Sequence, residues 1–171
     1  MCVTEMGTGQ FWFKGITPYI KERLSAEMVQ QARGVKIDVN IDGLDLYEKG
    51  KSGKMWPILG SFCDFPEEPV FIIAAYCGEK KPADVIEFLS QFRDEVESLE
   101  NDGIRFVGLV LPFKAKNYIL DAPARAFCKC IIEHNGEKGC EKCEVKGEKY
   151  KGREVFCDYN ALLRTDESFT D

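Results

Sequence analysis

Residues 35–42 alternate strictly between apolar and polar side chains, and this pattern constrains the fold more than any other feature of the chain. The apolar positions are Val35, Ile37, Val39 and Ile41, and the polar ones are Lys36, Asp38, Asn40 and Asp42. Successive side chains of a β-strand point to opposite faces of a sheet, so the segment is typical of a strand with one buried and one polar face. It therefore predicts a sheet in which Asp42 lies late in a strand that ends at Gly43.

Two more strands are predicted after this one. Residues 49–54 are typical of a flexible basic connection, and residues 55–59 of a returning strand. Pro57 restricts that strand to a sheet edge or a bulge, because proline has no backbone N–H to donate. Residues 70–76 are apolar throughout and predict a buried third strand. The short connections favour an antiparallel meander.

A long helix is predicted next, beginning near Pro82 and ending before Gly103. Its apolar side chains recur at helical spacing: Val85, Phe88, Leu89, Phe92, Val96 and Leu99. The remaining predicted elements are a strand over 104–111, a bend over 112–117, a resumed strand over 118–120 and an alanine-rich helix over 122–133. Strands followed by alternating helices and strands indicate an α/β domain.

Asp42 and Asp121 are the acidic residues that this order makes interesting, since one lies late in the first strand and the other at the end of the fourth. If those two strands are neighbours, the carboxylates converge. Paired carboxylates hold the divalent cations that activate a nucleophile and stabilise a leaving oxygen in phosphoryl transfer. Taken alone, an aspartate after a strand is more often a turn residue or a helix cap than a metal ligand.

Soft metal ligands crowd into the stretch after Asp121, at Cys128, Cys130, His134, Cys140 and Cys143. Residues 134–158 are polar and have no core-forming pattern, so a bound metal is the natural organiser of this segment. The spacing of Cys130, His134, Cys140 and Cys143 offers four tetrahedral ligands to a structural zinc ion. A redox motif and unpaired surface cysteines are the alternatives for Cys140 and Cys143.

Cys130 is preferred to Cys128 as the first zinc ligand. Cys130 precedes His134 by four residues, and residues four apart share one face of a helix. Cys157 is the substitute. With four protein ligands in place, the zinc has no water to activate, and its role is structural.

Length and composition favour one domain, since 171 residues that are 44% apolar can bury one sizeable core. We divide it into a lead-in segment over 1–34, a core over 35–133, and a zinc loop with a C-terminal tail over 134–171. Nothing at the start resembles a secretory signal, so we expect an intracellular protein, nuclear or cytoplasmic, with reduced thiols. The longest apolar run is too short to cross a bilayer, and no membrane partner is expected.

The net charge of −6 argues against a general affinity for nucleic acid. The charge is unevenly spread, however, because residues 114–129 and 142–153 are locally basic. A nucleic-acid surface confined to those segments and an ordinary solvated surface are both compatible with this distribution.

Several short segments together form a pattern that resembles a known family. They are Ile41 to Leu44, Met55 to Gly60, Tyr76 to Gly78, Lys81-Pro82, Glu87 to Leu89, Asp121 to Phe127, His134 to Gly136, Gly139 to Cys143 and Leu163 to Phe169. The chain resembles, from about Phe11 to Phe169, the transposase-like proteins of animal genomes that are related to the CACTA (En/Spm-type) DNA transposases. Leu120 and Glu137-Lys138 depart from the family pattern, where a cysteine and an aromatic pair are usual.

The resemblance implies a ribonuclease H-like mixed sheet with packed helices and a zinc-binding loop insertion. It also implies a DDE/D-type catalytic core that cuts and joins DNA with magnesium or manganese held by Asp42, Asp121 and a third acidic residue. In relatives the third acid lies beyond the position of Asp171, so we expect a fragment or a shortened copy that is inactive alone. The implied partners are DNA, at the transposon ends, and further copies of the protein.

Arg125 and Lys129 are the predicted nucleic-acid contacts. Arg125 lies four residues after Asp121, where it can contact a phosphate or pair with that carboxylate. The alternative function, from a different class, is a domesticated zinc-stabilised module that binds DNA or protein without catalysis.

Overall fold

A mixed sheet organises the first of two units in this computed structural model, which describes residues 3–46, 53–106, 108–165 and 167–169. The units are Met1–Ile119 and Leu120–Asp171. The fold is α/β with parallel and antiparallel strands, as the sequence predicts. None of the helices in the described ranges is long and apolar enough to cross a membrane.

The described part of the first unit contains these strands: β1 (Val3–Met6), β2 (Gly9–Phe13), β3 (Val35–Ile41), β4 (Leu44–Asp45), β5 (Lys54–Phe62), β6 (Phe71–Gly78), β7 (Ile104–Phe106), β8 (Leu109–Leu111) and β9 (Phe113–Ile119). Its helices are α1 (Thr17–Arg23), α2 (Ala26–Gln31) and α3 (Val85–Asp102). The sheet has the order β1-β2-β6-β5-β3-β9, with β4 paired to β5, while β7 and β8 form a separate hairpin.

Strand β3 lies between β5 and β9 and carries the predicted alternation. Val35, Ile37, Val39 and Ile41 are at most 2% exposed, while the intervening side chains are partly or fully exposed. Strands β3, β5 and β6 form the predicted antiparallel meander, and β9 is parallel to β3. Of the connection predicted over 49–54, residues 49–52 lie outside the described part of the chain.

Pro57 lies in an interior strand, not at an edge. The β3 pairing of β5 begins at Ile58, and the β4 pairing ends at Met55, so Pro57 falls between the two ladders. A register shift toward β6 follows at Ile58/Leu59. Pro57 itself pairs with Ala75 of β6, so it lies beside the bulge and not in it. Its missing N–H is tolerated because neither β3 nor β4 pairs with β5 at this position.

Helix α3 packs on the sheet through Phe88, Phe92, Val96 and Leu99, all of which are buried. It begins at Val85, three residues later than Pro82, because the Asp84 carboxylate accepts hydrogen bonds from the backbone N–H groups of Ile86 and Glu87. It ends at Gly103, whose φ of 70° suits glycine. Long-range contacts tie α3 to α1: the Glu95 carboxylate accepts from the N–H groups of Ile16 (2.8 Å) and Thr17 (3.0 Å).

The expected lead-in segment, 1–34, is part of the sheet. Strand β2 pairs with β6, and β1 pairs with β2, so apolar residues of this segment such as Phe11 and Ile16 enter the core. The expected boundary at 133/134 also differs from the one observed, which falls after Ile119. Local composition did not reveal this division, because it depends on which segments pair over long distances.

Three elements between 104 and 133 differ from prediction. The strand predicted over 104–111 is broken at Gly108 (φ 83°) into the β7–β8 hairpin, and the bend predicted over 112–117 is instead most of β9. The helix predicted over 122–133 is only α4 (Ala122–Cys128). Cys130 N–H bonds to the Phe127 carbonyl and Ile131 N–H to the Ala126 carbonyl, with Cys130 at φ 55°. This is the left-handed turn that ends many helices.

The second unit holds α4, the hairpin β10 (Glu148–Tyr150) and β11 (Arg153–Val155), and a short 3₁₀ helix, Glu167–Phe169. Arg164 forms hydrogen bonds to parts of this unit that are far apart in the sequence. Its guanidinium donates to the carbonyls of Cys140 (2.8 Å), Lys138 (3.1 Å) and Ser168 (3.0 Å). Hydrogen bonds between this side chain and the backbone thereby hold residues 138–140 and 164–168 together.

Candidate functional site

Asp42 follows the last residue of β3 and is half-buried. One of its carboxylate oxygens accepts a hydrogen bond from the Gly43 N–H at 2.7 Å. This fixes the side chain beside its own backbone, as aspartates in turns commonly do. Among the described residues, the second oxygen has no hydrogen-bond donor, so Asp42 retains free acceptor capacity.

Asp121 is the second residue of the second unit and the N-cap of α4. Its Oδ1 accepts a hydrogen bond from the Ala124 N–H at 2.7 Å, and the residue is exposed. Both readings of this aspartate left open by the sequence therefore still apply. The cap is observed, and the second carboxylate oxygen has no donor among the described residues.

Strands β3 and β9, which precede the two aspartates, are adjacent and parallel. Asn40 is opposite Ile119, and its side-chain amide donates to the Ile119 carbonyl at 2.7 Å. Asp42 follows Asn40 by two residues, and Asp121 follows Ile119 by two. The first strand of the meander and the strand before Asp121 are thus neighbours in the sheet.

A second side-chain contact braces the same strand pair at its bulge. The Asn117 side-chain amide donates to Asp38 Oδ1 at 2.7 Å, where the β3–β9 register shifts after Ile37. The Cys63 thiol donates to the same oxygen at 3.2 Å. Burial, together with this contact, raises the pKa of Cys63 to about 11, so the thiol stays protonated at neutral pH. Asp38 thus has a structural role, and it is not one of the predicted metal ligands.

Cys140 and Cys143 are brought together in the second unit, with their sulfur atoms 3.3 Å apart. Residues 142–144 pair antiparallel with residues 162–164, with Cys143 opposite Leu163. The Arg164 N–H donates to the Lys142 carbonyl, and the Glu144 N–H donates to the Leu162 carbonyl. Both sulfurs are thereby presented from one tight turn.

The surroundings of Cys140 favour its thiolate. Burial acts to raise the pKa of this thiol, but hydrogen bonds from the backbone N–H groups of Lys142 and Cys143 act in the opposite direction. The Cys143 thiol and the positive charge of Arg164 add to them, and the pKa of Cys140 is lowered from its ordinary value. The thiolate is the form that binds metals, so this turn is suited to a soft cation.

The other two predicted zinc ligands are placed differently from expectation. Helix α4 ends at Cys128, so Cys130 and His134 do not share a helical face, and the helical argument for Cys130 was wrong. Cys130 nevertheless lines a cavity of about 230 Å³ together with Cys140 and Arg164. Cys128 is half-buried, and burial raises its pKa to about 11, which disfavours it as a ligand. His134 and Cys157 are exposed.

No group of three or more His, Cys, Asp or Glu side chains is placed to hold a metal ion within the described ranges. The structure thus brings together two of the four predicted zinc ligands, Cys140 and Cys143, and a third, Cys130, lines a cavity with Cys140. The zinc site remains a prediction.

Arg125 and Lys129, the predicted nucleic-acid contacts, both pair with Glu141. Arg125 Nε lies 2.8 Å from one Glu141 oxygen, and Lys129 Nζ lies 3.3 Å from the other. Burial acts to raise the pKa of Glu141, but these two cations outweigh it and hold that pKa below its usual range. The contacts are consistent with a structural role for both basic residues.

Glu141 and Arg164 are the residues of this region that the sequence did not single out. Glu141 lies between the two cysteines and pairs with cations in and directly after α4. Arg164 donates to the carbonyls of Lys138 and Cys140, where the cysteine turn begins. Neither role has a periodic or spacing signal, because each depends on a partner more than ten residues away along the chain.

Comparison of the chain with protein-family models, with curated proteins and with solved structures finds no match. The functional assignment therefore rests on residues and geometry.

Proposed function

We propose that this chain carries a ribonuclease H-like catalytic core of a DDE/D-type DNA transposase, in which Asp42 and Asp121 bind magnesium or manganese. The observation that carries the proposal is the parallel pairing of β3 with β9. It supports the function because Asp42 follows the carboxyl end of β3 by one residue and Asp121 follows that of β9 by two.

The sheet order gives further support. An antiparallel meander of β3, β5 and β6 leads into α3, and the chain then returns as β9 on the free side of β3. Ligands of sheets with parallel strands commonly bind outside the carboxyl ends of those strands. Asn40 contributes by holding the Ile119 carbonyl, which fixes the point where β9 ends.

The chemistry follows from the carboxylates. Divalent cations held by such residues activate an attacking oxygen and stabilise a leaving oxygen during cleavage or joining of a phosphodiester. Asp42 and Asp121 each have one carboxylate oxygen engaged by a backbone N–H and the other available to a cation. The protein contributes position and charge, which are most of what phosphoryl transfer requires.

Manganese binding tests this proposal directly. We expect the intact chain to bind Mn²⁺ in a titration followed by electron paramagnetic resonance, and Asp42→Asn to weaken that binding at least tenfold. Asn can keep the hydrogen bond from Gly43 while losing the charge. Asp45→Asn is the matched control, because Asp45 is an exposed acid three residues away that pairs with Lys54. Equal binding by wild type and Asp42→Asn, or equal loss with Asp45→Asn, would refute the assignment.

A zinc-stabilised interaction module is the second candidate, and the paired sulfurs of Cys140 and Cys143 favour it. We propose that a structural zinc ion binds these two thiolates, with Cys130 and His134 completing the set. Cys130 lines the same cavity as Cys140, which supports its inclusion. The two candidates are compatible in one chain, and they differ in whether the manganese site exists.

Metal analysis of protein purified under reducing conditions tests the zinc proposal. About one zinc per chain is expected, since four ligands define one tetrahedral site. Protein without zinc and with all thiols free would refute it. Zinc without a manganese site would leave the interaction module as the function.

A further inference from the structure

The β10–β11 hairpin presents an aromatic ring among basic side chains. Tyr150 is 61% exposed and is directly opposite Arg153 in the antiparallel register, so the two side chains share one face of the hairpin. The turn is formed by Lys151 (φ 48°) and Gly152 (φ 78°), a conformation typical of tight hairpins. The Lys151 ammonium lies 5.3 Å from the centroid of the Tyr150 ring.

The charge of this hairpin is opposite to that of the whole chain. Residues 146–155 contain four basic and two acidic side chains, whereas the net charge of the protein is −6. Lys149, Lys151 and Arg153 are exposed, and no ion pair of the described residues involves them. These cations are therefore available to an anionic partner.

The predicted contacts Arg125 and Lys129 differ in this respect, since Glu141 neutralises both. In the same unit, the hairpin tip combines exposed cations with an exposed ring. Cations that follow a phosphate backbone and an aromatic ring that stacks on an unpaired base are the two elements by which proteins bind single-stranded nucleic acid.

We propose that the tip of this hairpin is a binding site for single-stranded DNA, with Lys151 and Arg153 on phosphates and Tyr150 stacked on a base. The choice of DNA rests on the proposed function, in which strand cleavage exposes unpaired bases. The position of the site, on the hairpin, rests only on the contacts and exposures of residues 146–155.

The test is fluorescence anisotropy of the full chain with a labelled single-stranded DNA 20-mer, without added magnesium or manganese. Tyr150→Ala is expected to weaken binding about tenfold, because one stacked base is lost. Lys151→Asn with Arg153→Gln should lower the slope of log affinity against log salt by about 0.7 for each cation removed. Asparagine is chosen at position 151 because it tolerates the left-handed backbone there.

The matched control is Lys21→Gln with Lys80→Gln, which removes two exposed cations of the first unit that also lack an ion pair among the described residues. It should leave the affinity within twofold of wild type. An equal loss in this control, or no loss in the hairpin variants, would overturn the proposal. Circular dichroism of each variant checks that the unit is folded.

Two further arms decide the partner. A duplex of the same sequence should bind more weakly and lose little with Tyr150→Ala, and an equal effect on both would overturn stacking. A single-stranded RNA bound more tightly than DNA would overturn the choice of DNA. The DNA titration contains no divalent cation and the manganese titration contains no DNA, so failure of the hairpin site and failure of the proposed catalytic function are distinguishable.

Discussion

Replacement of Asp121 separates two roles of one carboxylate, the observed capping of α4 and the proposed binding of a metal ion. Helix α4 has seven residues, and its second, Pro123, has no N–H. The N–H of the third helical residue, Ala124, has no partner within the helix, and the Asp121 side chain accepts its hydrogen bond. Ala124 is only 1% exposed.

The magnitudes for the two substitutions differ. Asp121→Ala removes the acceptor and leaves a buried N–H without a partner, which costs about 1–2 kcal/mol of the free energy of unfolding of this unit. Asp121→Asn costs only a few tenths of a kcal/mol, roughly, because asparagine caps helices about as well as aspartate. Both variants lose the negative charge, so both should lose the proposed manganese affinity.

Urea unfolding together with amide hydrogen exchange at Ala124 and Arg125 measures the cap, and a manganese titration measures the ligand. We expect Asp121→Asn to match wild type in urea unfolding and hydrogen exchange, and to match Asp121→Ala in the manganese titration. If Asn destabilises α4 as much as Ala does, the capping argument fails. If Asn binds manganese as wild type does, Asp121 is not a ligand and the catalytic assignment fails with it.

Three further predictions concern metal, activity and pH. Cys143→Ser should abolish zinc binding and increase amide hydrogen exchange across residues 130–157. The sheet of the first unit should stay protected, since it has its own apolar core. Wild-type exchange rates across residues 130–157 in this variant would contradict the prediction. The 171-residue chain should neither nick nor join plasmid DNA with magnesium or manganese, because two carboxylates position these cations poorly; cleavage that disappears in Asp121→Ala would show that a third ligand lies within the chain. Because burial raises the pKa of Cys63 and Cys128 from 9.0 to about 11, the folded protein holds these protons more tightly than the unfolded chain. Their contribution to the free energy of unfolding is therefore present below pH 9 and is lost as pH rises toward 11, and urea unfolding at pH 8 and pH 10.5 measures this loss. Alkylation at pH 8.5 should be slower at Cys128 than at the exposed Cys77. Equal rates at the two thiols would contradict the burial of Cys128.

The elements that the sequence predicted well are those with a strong local period. The alternation of β3 and the helical spacing of α3 each place apolar side chains on one face of the element. Burial of that face in the core then stabilises the strand or helix that the period predicts. The adjacency of β3 and β9 does not follow from such a period, because most of β9 has the local pattern of a bend and the two strands lie far apart along the chain.

Competing local signals caused the errors. The alanine-rich run after Asp121 favours helix by propensity, but the left-handed turn at Cys130 ends α4 after seven residues. The apolar run at 104–111 looks like one strand, yet Gly108 turns it into a hairpin that pairs with itself. Propensity and hydrophobicity do not distinguish these outcomes, since a turn is decided by a few backbone angles.

The sequence by itself determined the chemistry that the protein can use: the carboxylates of Asp42 and Asp121, the thiols of Cys140 and Cys143, and the basic segment 142–153. Only the tertiary structure decided which of these groups remain available. Glu141 reaches Arg125 and Lys129 from more than ten residues away, and Arg164 reaches the cysteine turn from more than twenty. By contrast, no ion pair within the described part of the chain involves Lys149, Lys151 or Arg153. Charge pairing over such separations depends on the path of the folded chain, and no local pattern encodes it.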